Sequence, residues 1–214
     1  LNLGHVGMHG SKYANFAVTN ADLLVAVGAR FSDRVTGKLA DFAPEAKVIH
    51  VDVDPAEIGK NRIPQIPIVG DAKVVLAGMK EQLDKDGYEP KTKEWLEQIE
   101  EWRSRHPFYS PGLVALNGSI SPEGSLDLLS DMLDPENSIV TTEVGQHQMW
   151  AAQHIDREVP RTFLTSGGLG TMGFGFPAAI GAKVACPDKE VVCVAGDGSF
   201  QMNSQEMATA AAEA

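Results

Sequence analysis

Hydrophobic residues occur along this chain mainly in short continuous runs, which predict strands. The runs lie at residues 23–27, 48–51, 66–69, 139–140, 162–164 and 191–195. Continuous rather than alternating apolar runs are typical of parallel strands that are covered on both faces. The pattern therefore predicts an α/β protein with two parallel sheets, each part of a three-layer domain.

Segments with helical spacing lie between these runs. Asp71 can cap a helix whose apolar face holds Val74, Val75, Met79 and Leu83. A second helix is predicted to start after Ser121, because a proline follows that can occupy the first helical turn. Its apolar face is formed by Leu126, Leu129 and Leu133.

The two groups of strands are separated by a charged, proline-containing segment. We predict a first domain at residues 1–84, a linker with a helix at 85–118 and a second domain at 119–214. The linker helix, residues 92–103, has one apolar stripe of Trp95, Ile99 and Trp102. Packing explains this stripe better than a partner site does, although both interpretations stay open.

Composition excludes several classes of function. With 18 Lys and Arg against 29 Asp and Glu, the net charge is −11. A nucleic-acid binder needs clustered positive charge, and none is present. The apolar runs are too short to cross a bilayer. Cys186 and Cys193 lack metal-ligand spacing, and this piece of sequence contains no targeting segment, so reduced thiols in a cytoplasmic protein are expected.

Gly196-Asp197-Gly198 directly follows the last apolar run. Open α/β sheets bind ligands at the carboxyl ends of their strands. Two glycines let the backbone approach a phosphate closely, and a carboxylate suits magnesium. The tripeptide alone is equally consistent with a tight turn in which Asp197 caps the next helix.

A glycine-rich loop follows another predicted strand. Residues 166–175 contain five glycines and precede a helix that is predicted to open at Pro177. This arrangement favours a phosphate or cofactor loop. Met172 is unusual within it, because an exposed loop has little use for a large thioether. The alternative is that Met172 plugs into the core.

A third polar segment follows the strand at residues 139–140. It contains Glu143, Gln146, His147 and Gln148. His147 is either a site residue or a structural imidazole with satisfied hydrogen bonds. Because parallel strands deliver all three segments to one sheet edge, their coincidence predicts a ligand site there.

The first half of the chain has a comparable arrangement. Gly28 follows a strand, and Asp52 ends one, where a carboxylate can accept a ribose hydroxyl. Arg30 and Arg34 offer planar donors for a phosphate or carboxylate. For each arginine taken alone, a surface salt bridge is the more ordinary interpretation.

Residues 145–150, 168–182 and 196–203 together resemble the thiamine-diphosphate domain of the acetohydroxyacid (acetolactate) synthase family. The resemblance implies Asp197 as a magnesium ligand and Met172 as the wedge that bends the cofactor. It also implies contacts to thiamine diphosphate from Gly145, Gln146, His147, Gly170, Met172, Gly196, Gly198 and Ser199.

Residues 7–10, 28–37, 50–54 and 70–71 resemble the central, FAD-binding domain of the same family. The implied FAD site comprises Gly7, Met8, His9, Gly10, Gly28, Arg30, Asp33, Asp52 and Asp71. Arg34 would recognise the carboxylate of a second 2-keto acid and counts with Met172 as catalytic. Ser32 departs from the pattern, since many relatives carry Asp there.

The resemblance implies decarboxylation of pyruvate and its condensation with a second 2-keto acid, pyruvate or 2-ketobutyrate. It further implies a homodimer or higher homo-oligomer, with a small regulatory subunit as a possible partner. The family's closing Asn-Asn pair and its pyrimidine-binding domain are not in this sequence. We therefore expect a piece of a longer polypeptide that is inactive alone. The alternatives are a pyruvate oxidase, a glyoxylate carboligase and a non-catalytic nucleotide-binding module.

Overall fold

A computed structural model describes residues 1–108, 112–114 and 117–213. The chain divides into two compact units, Leu1–Phe108 and Tyr109–Ala214. Residues 109–111 and 115–116 of the predicted linker lie outside the described residues. None of the described helices is long and apolar enough to span a membrane.

The first unit contains one three-stranded parallel sheet, in the order β1–β2–β3. Its elements are α1 (Lys12–Thr19), β1 (Leu23–Val27), α2 (Asp33–Thr36), β2 (Lys47–Asp52), β3 (Ile66–Val69), α3 (Ala72–Lys85) and α4 (Lys93–Arg105). The strands predicted for this half are present, and the prediction of a parallel sheet is confirmed.

Helix α3 begins where its cap predicts. The carboxylate of Asp71 accepts the N–H of Val74 at 3.1 Å. Within the described residues, however, the predicted cover of the strands is incomplete for this sheet. Leu23 on β1 is 51 % exposed and Ile66 on β3 is 51 % exposed, while α3 buries none of its side chains. Both strands are edges of the sheet, and only β2 has a strand on each side.

The tryptophan stripe of α4 serves packing, as predicted. Ile99 is buried, and the rings of Trp95 and Trp102 meet edge to face at 5.7 Å. Trp102 also contacts Phe16 of α1, with ring centroids 5.8 Å apart. Helix α4 therefore packs on α1 within the first unit.

The second unit has a three-stranded parallel sheet in the order β5–β4–β6. Its elements are α5 (Pro122–Met132), β4 (Ser138–Thr142), α6 (Gln146–His154), β5 (Phe163–Thr165), α7 (Gly175–Ala185), β6 (Glu190–Val194), α8 (Asp197–Gln201) and α9 (Met207–Ala212). Here too the predicted strands form, and the predicted α/β class is confirmed.

The core of this unit fixes the sheet edge that bears the polar loops. Every residue of β4 is buried, and the hydroxyl of Ser121 caps α5 by accepting the N–H of Gly124 at 3.1 Å. The core joins β4 to the apolar faces of α5 and α6 through Leu126, Leu133, Val140, Ala151 and Ile155. The predicted apolar face of α5 is thus confirmed.

Two helix starts differ from the sequence-based prediction. Helix α7 begins at Gly175 rather than at Pro177, which lies inside its first turn, where a missing N–H costs no helical hydrogen bond. Residues 146–150 were predicted as a polar loop, but they belong to α6. The hydrophobic periodicity of α6 is weak, because its buried side includes the polar residues Gln148 and His154.

Candidate functional site

Three loops of the second unit meet at the carboxyl edge of its sheet. They follow β4, β5 and β6, and they enclose part of a groove of about 570 Å³. The groove is lined by Pro122, Ser125, Leu126, Val144, Gly145, Gln146, His147, Trp150, Met172, Val194, Ala195, Gly196, Asp197, Gly198 and Ser199. A groove of this size at this edge is where an α/β sheet binds ligands.

Asp197 presents a carboxylate to this groove. It is exposed and is the first residue of α8. Gly196, and not Asp197, occupies the N-cap position of that helix. The alternative in which Asp197 caps the helix is therefore wrong. An exposed carboxylate between two glycines is a suitable oxygen donor for a divalent cation.

His147 stands against two glycines of different loops. A β-carbon on Gly145 would lie 2.8 Å from its Cε1, and one on Gly196 would lie 2.9 Å from its Nδ1. Only glycine fits at either position without displacing the ring. The loops after β4 and β6 thus approach each other around this imidazole.

The imidazole of His147 is not fully satisfied within the fold. Its Nε2 is buried and has no hydrogen-bond partner among the described residues. Burial lowers the pKa of His147 below its usual value, while the carbonyl and the carboxylate of Glu143 act in the opposite direction. A buried ring nitrogen without a partner among the described residues speaks against the purely structural interpretation.

Met172 lies at the groove and does not plug into the core. It is 44 % exposed, and its methyl group is 4.0 Å from where a β-carbon on Gly198 would be. The thioether therefore stands beside the Gly-Asp-Gly turn. Gly170 of the same loop has φ of +65°, a conformation that favours glycine, and lies near Val144.

The polar residues after β4 serve two different purposes. Gln146 is exposed and His147 is half-buried, and both line the groove. Glu143 and Gln148 are buried. The side chain of Gln148 donates to the hydroxyl of Thr165 at 2.7 Å and so ties α6 to β5. The sequence pattern did not separate these two pairs, because all four residues are polar.

Ser199 reaches the groove from the first turn of α8. It is buried, and its hydroxyl donates to the carbonyl of Gly196 at 3.4 Å. Its hydroxyl therefore turns toward the backbone of its own turn.

Sequence reasoning assigned no role to an apolar wall of the groove formed by Leu126, Val144 and Trp150. Trp150 lies three residues after His147 on α6, a spacing that places both on one helix face. That signal was available only if residues 146–150 had been read as a helix.

In the first unit, three of the predicted FAD residues share the carboxyl edge of the sheet. Gly28 follows β1, and its N–H donates to Val51 of β2 at 2.8 Å. Asp52 ends β2, and Asp71 follows β3 directly after Gly70. One oxygen of Asp52 accepts the N–H of Asp54 at 2.9 Å. One oxygen of Asp71 accepts the N–H of Val74 and so caps α3.

A second group surrounds Arg34 on α2. The N–H of Met8 donates to the carbonyl of Arg34 at 2.9 Å. A β-carbon on Gly7 would lie 2.2 Å from that same carbonyl oxygen, so this close approach requires glycine. The N–H of Gly10 donates to Gly7 at 3.0 Å, and His9 between them is exposed.

Asn15 of α1 holds this turn and was missed by sequence reasoning. Its side chain accepts the N–H of Gly7 at 2.7 Å and donates to the carbonyl of Gly7 at 2.9 Å. A single asparagine therefore satisfies both backbone groups of the glycine that backs Arg34. No spacing rule connects residues 7 and 15 before the fold is known.

Arg34 forms a salt bridge with Asp33, with 2.9 Å between Nη1 and Oδ1. Both side chains are more than two-thirds exposed, so the pair contributes little to stability. A cavity of about 420 Å³ is lined by Arg34 together with Asp33 and Arg30. The salt-bridge interpretation thus holds for Arg34 without excluding a binding role.

Known families account for both halves of the chain. Residues 1–79 match the model described as "Thiamine pyrophosphate enzyme, central domain". Residues 143–214 match the one described as "Thiamine pyrophosphate enzyme, C-terminal TPP binding domain". The groove and the Gly-Asp-Gly turn lie largely within the second match.

Similar proteins carry one name. The chain is 55 % identical over 212 residues to the acetolactate synthase large subunit of Parasynechococcus marenigrum. This match covers 99 % of the chain and 33 % of that protein. It is 54 % identical over 215 residues to the probable acetolactate synthase large subunit of Methanocaldococcus jannaschii, and this match covers 98 % of the chain and 36 % of that protein. It is 52 % identical over 216 residues to the acetolactate synthase of Mycobacterium leprae, and this match covers 99 % of the chain and 34 % of that protein.

The chain therefore spans about a third of the length of the curated relatives it matches. Both family models and all of these relatives agree with the resemblance that the sequence motifs carried. The chain belongs to the thiamine pyrophosphate enzymes, as a homologue of acetolactate synthase large subunits with the central and the C-terminal cofactor-binding domains of that family.

Proposed function

We propose that this chain is part of the catalytic large subunit of an acetolactate synthase. The subunit decarboxylates pyruvate and joins the remaining two-carbon unit to a second 2-keto acid, giving acetolactate or acetohydroxybutyrate for branched-chain amino-acid synthesis. The observation that carries this proposal is the groove at which Asp197, His147 and Met172 meet. It lies in a chain that is about half identical to acetolactate synthase large subunits.

The groove fits thiamine diphosphate and its magnesium ion. Gly145, Gly196 and Gly198 line it without side chains, so their backbones allow close approach of a diphosphate. Asp197 adds the hard carboxylate oxygen that magnesium prefers alongside phosphate oxygens and water. Bound thiamine diphosphate supplies the electron sink for decarboxylation and for carbon–carbon bond formation.

Two side chains are assigned roles in orienting that cofactor. Met172 stands beside Gly198, where it would act as the wedge that orients the cofactor when it is bound. His147 lines the groove with its ring against Gly145 and Gly196, and it is assigned a contact with the cofactor there. Gln146, Gly170 and Ser199 complete the contacts that we assign to thiamine diphosphate. Each of these residues is proposed to bind or orient the cofactor, and holding reacting groups in the correct geometry is itself a source of catalysis.

The first unit is proposed to hold FAD. Gly28, Asp52 and Asp71 share one sheet edge, where dinucleotides bind in open α/β folds. Each carboxylate that already accepts a local N–H has a second oxygen able to accept a ribose hydroxyl. The remaining proposed contacts come from Gly7, Met8, His9, Gly10, Arg30 and Asp33.

Arg34 is proposed to bind the carboxylate of the second 2-keto acid. Its guanidinium is exposed and offers the bidentate geometry that carboxylates prefer. Replacement of Arg34 by Ala in the complete large subunit is expected to raise KM for the second keto acid roughly 10- to 100-fold, since a hydrogen bond to a charged group is lost. Steady-state kinetics with pyruvate and 2-ketobutyrate measures this change.

Lys80→Ala is the matched control for Arg34→Ala. Lys80 is likewise an exposed cation, and it pairs with Asp84 at 2.6 Å on α3, away from the proposed site. Its variant should retain the parental KM. If Arg34→Ala leaves KM for both keto acids unchanged as well, Arg34 does not bind the substrate carboxylate.

Acetolactate formation is the direct test of the proposed function. The complete large subunit that carries this chain is expected to convert pyruvate to acetolactate and CO2 only when thiamine diphosphate and magnesium are both present. Colorimetric detection of acetoin after acid treatment of the product measures this. Reduction of the flavin by pyruvate would instead identify a pyruvate oxidase, and use of glyoxylate would identify a glyoxylate carboligase. No turnover would favour a non-catalytic nucleotide-binding module.

The subunit is further proposed to work in the cytoplasm as a homodimer or higher homo-oligomer. A small regulatory subunit is a further proposed partner. The regulatory partner follows from the relatives' designation as large subunits, which implies a second kind of subunit. The homo-oligomer and the cytoplasmic location rest on the family resemblance alone.

A further inference from the structure

Glu143 is a buried carboxylate that does not open into the groove. It has no exposed surface, although it directly precedes the groove-lining loop after β4. A buried carboxylate is costly unless its oxygens accept hydrogen bonds. Both oxygens do so: Oε2 accepts the N–H of Gly173 at 2.7 Å, and Oε1 accepts the N–H of Phe176 at 2.9 Å.

These two donors lie where the glycine-rich loop ends and α7 begins. Phe176 is in the first turn of α7, where N–H groups have no partner within the helix and where negative charge is favoured. Gly173 is the residue directly after Met172. One side chain therefore connects the start of the helix to the backbone beside the wedge.

Gly173 is held from its other side as well. Its carbonyl accepts the side-chain N–H of Asn203 at 2.6 Å. Its φ is +89°, and a β-carbon there would lie 2.7 Å from Asn203 Nδ2. Both backbone groups of this glycine are thus fixed by side chains, in a conformation that other residues rarely adopt.

Gly175, two residues after Gly173, is also held against β4. The carbonyl of Gly175 accepts the hydroxyl of Thr141 at 2.9 Å. A β-carbon on Gly175 would lie 2.4 Å from the backbone nitrogen of Glu143. The end of the loop therefore contacts the backbone of β4 directly, and every residue of that strand is buried.

We propose that Glu143 is a positioning residue, whose buried carboxylate holds Met172 at the cofactor groove through Gly173. This inference rests on the proposed function for the identity of the cofactor. The carboxylate of Glu143 does not line the groove, although its backbone carbonyl bonds to the groove-lining His147. It fixes the backbone N–H of Gly173, the residue after Met172, while Asn203 fixes the carbonyl of the same glycine.

The negative charge of Glu143 is essential to this role, and the shape of the side chain alone is insufficient. A glutamine of the same size has one acceptor oxygen and one NH2 group. One of the two backbone N–H groups would then face another donor and lose its partner. Because a hydrogen bond to an ionised acceptor is about twice as strong as a neutral one, the remaining bond weakens too.

The test compares Glu143→Gln with Glu143→Asp in the complete large subunit. Glu143→Gln is expected to raise the Kd for thiamine diphosphate, in saturating magnesium, about tenfold. Glu143→Asp keeps the charge and is expected to recover part of the affinity. Amide hydrogen exchange at Gly173 and Phe176 should become at least about tenfold faster in Glu143→Gln. Glu190→Gln, at the exposed start of β6, is the matched control and should alter neither quantity.

Asn203→Ala provides a second, milder perturbation of the same glycine. It removes the donor to the Gly173 carbonyl at a residue that is only partly buried, so it tests the same restraint on Gly173 if Glu143→Gln does not fold. It is expected to raise the Kd for thiamine diphosphate severalfold and to speed exchange at the Gly173 amide.

The outcomes separate this inference from the proposed function. Weaker cofactor binding with faster exchange in Glu143→Gln, partly rescued in Glu143→Asp, supports the positioning role. A lower unfolding temperature with an unchanged Kd, measured well below that temperature, overturns it in favour of a purely structural role. If the parent protein does not bind thiamine diphosphate at all, the proposed function fails. The exchange at Gly173 then still reports whether Glu143 holds the loop.

Discussion

Asp197→Ala in the complete large subunit is expected to abolish magnesium-dependent binding of thiamine diphosphate, with the Kd rising at least about 100-fold. Magnesium in such sites is held by only one or two protein oxygen donors, so the loss of one carboxylate removes a large share of the protein's hold on the metal. Asp197 is exposed at the groove between two glycines, where no larger side chain blocks access to its carboxylate.

Calorimetric titration with thiamine diphosphate, with and without magnesium, measures this effect. Asp188→Ala is the matched control, because Asp188 is also an exposed aspartate of the second unit but lies in the turn before β6, at the opposite end of the strand. Its titration should match the parent. A magnesium-dependent Kd that survives Asp197→Ala would refute the metal assignment.

Gly175→Ala is expected to destabilise the second unit by about 2–4 kcal/mol. The new β-carbon would lie 2.4 Å from the backbone of Thr142 and Glu143. Backbone atoms of a fully buried strand cannot swing aside as a flexible side chain can, so α7 and β4 would have to separate. Urea unfolding of the purified chain, followed by circular dichroism, gives the change in the free energy of unfolding.

Gly181→Ala on the same helix should shift the free energy of unfolding in the opposite direction. A β-carbon on Gly181 meets no atom within 4 Å, and the residue is exposed in the interior of α7. Alanine there is expected to stabilise the helix by about 0.5–1 kcal/mol, because glycine loses more backbone entropy on folding. Equal effects of the two variants would show that the contact of Gly175 with β4 does not govern this helix.

Much of the fold follows from local patterns. Apolar runs predicted the six strands and their parallel arrangement, because strands of this kind are covered by helices that require crossover connections. The caps at Asp71 and Ser121 were predictable, since a side-chain oxygen beside the first helical turn satisfies an N–H three residues away. The carboxyl ends of parallel strands also predicted one shared edge for the three loops of the second unit.

The sequence failed where burial and polarity conflict. Helix α6 was not predicted, because its buried side carries Gln148 and His154 instead of an apolar stripe. The open faces of β1 and β3 were missed for the opposite reason. Leu23 and Ile66 are apolar yet half exposed, and hydrophobicity alone cannot distinguish an edge strand from a central one.

The sequence by itself therefore determined the family, the fold class and the short motifs that can contact a phosphate or a metal ion, because these depend on residue types at fixed local spacing. Only the tertiary structure decided which polar residues face the groove and which lie beneath it. Gln146 and Glu143 are three residues apart, yet one lines the groove and the other is fully buried under the glycine-rich loop. That difference arises from contacts with residues about 30 positions away, such as Gly173 and Phe176, which no local pattern encodes.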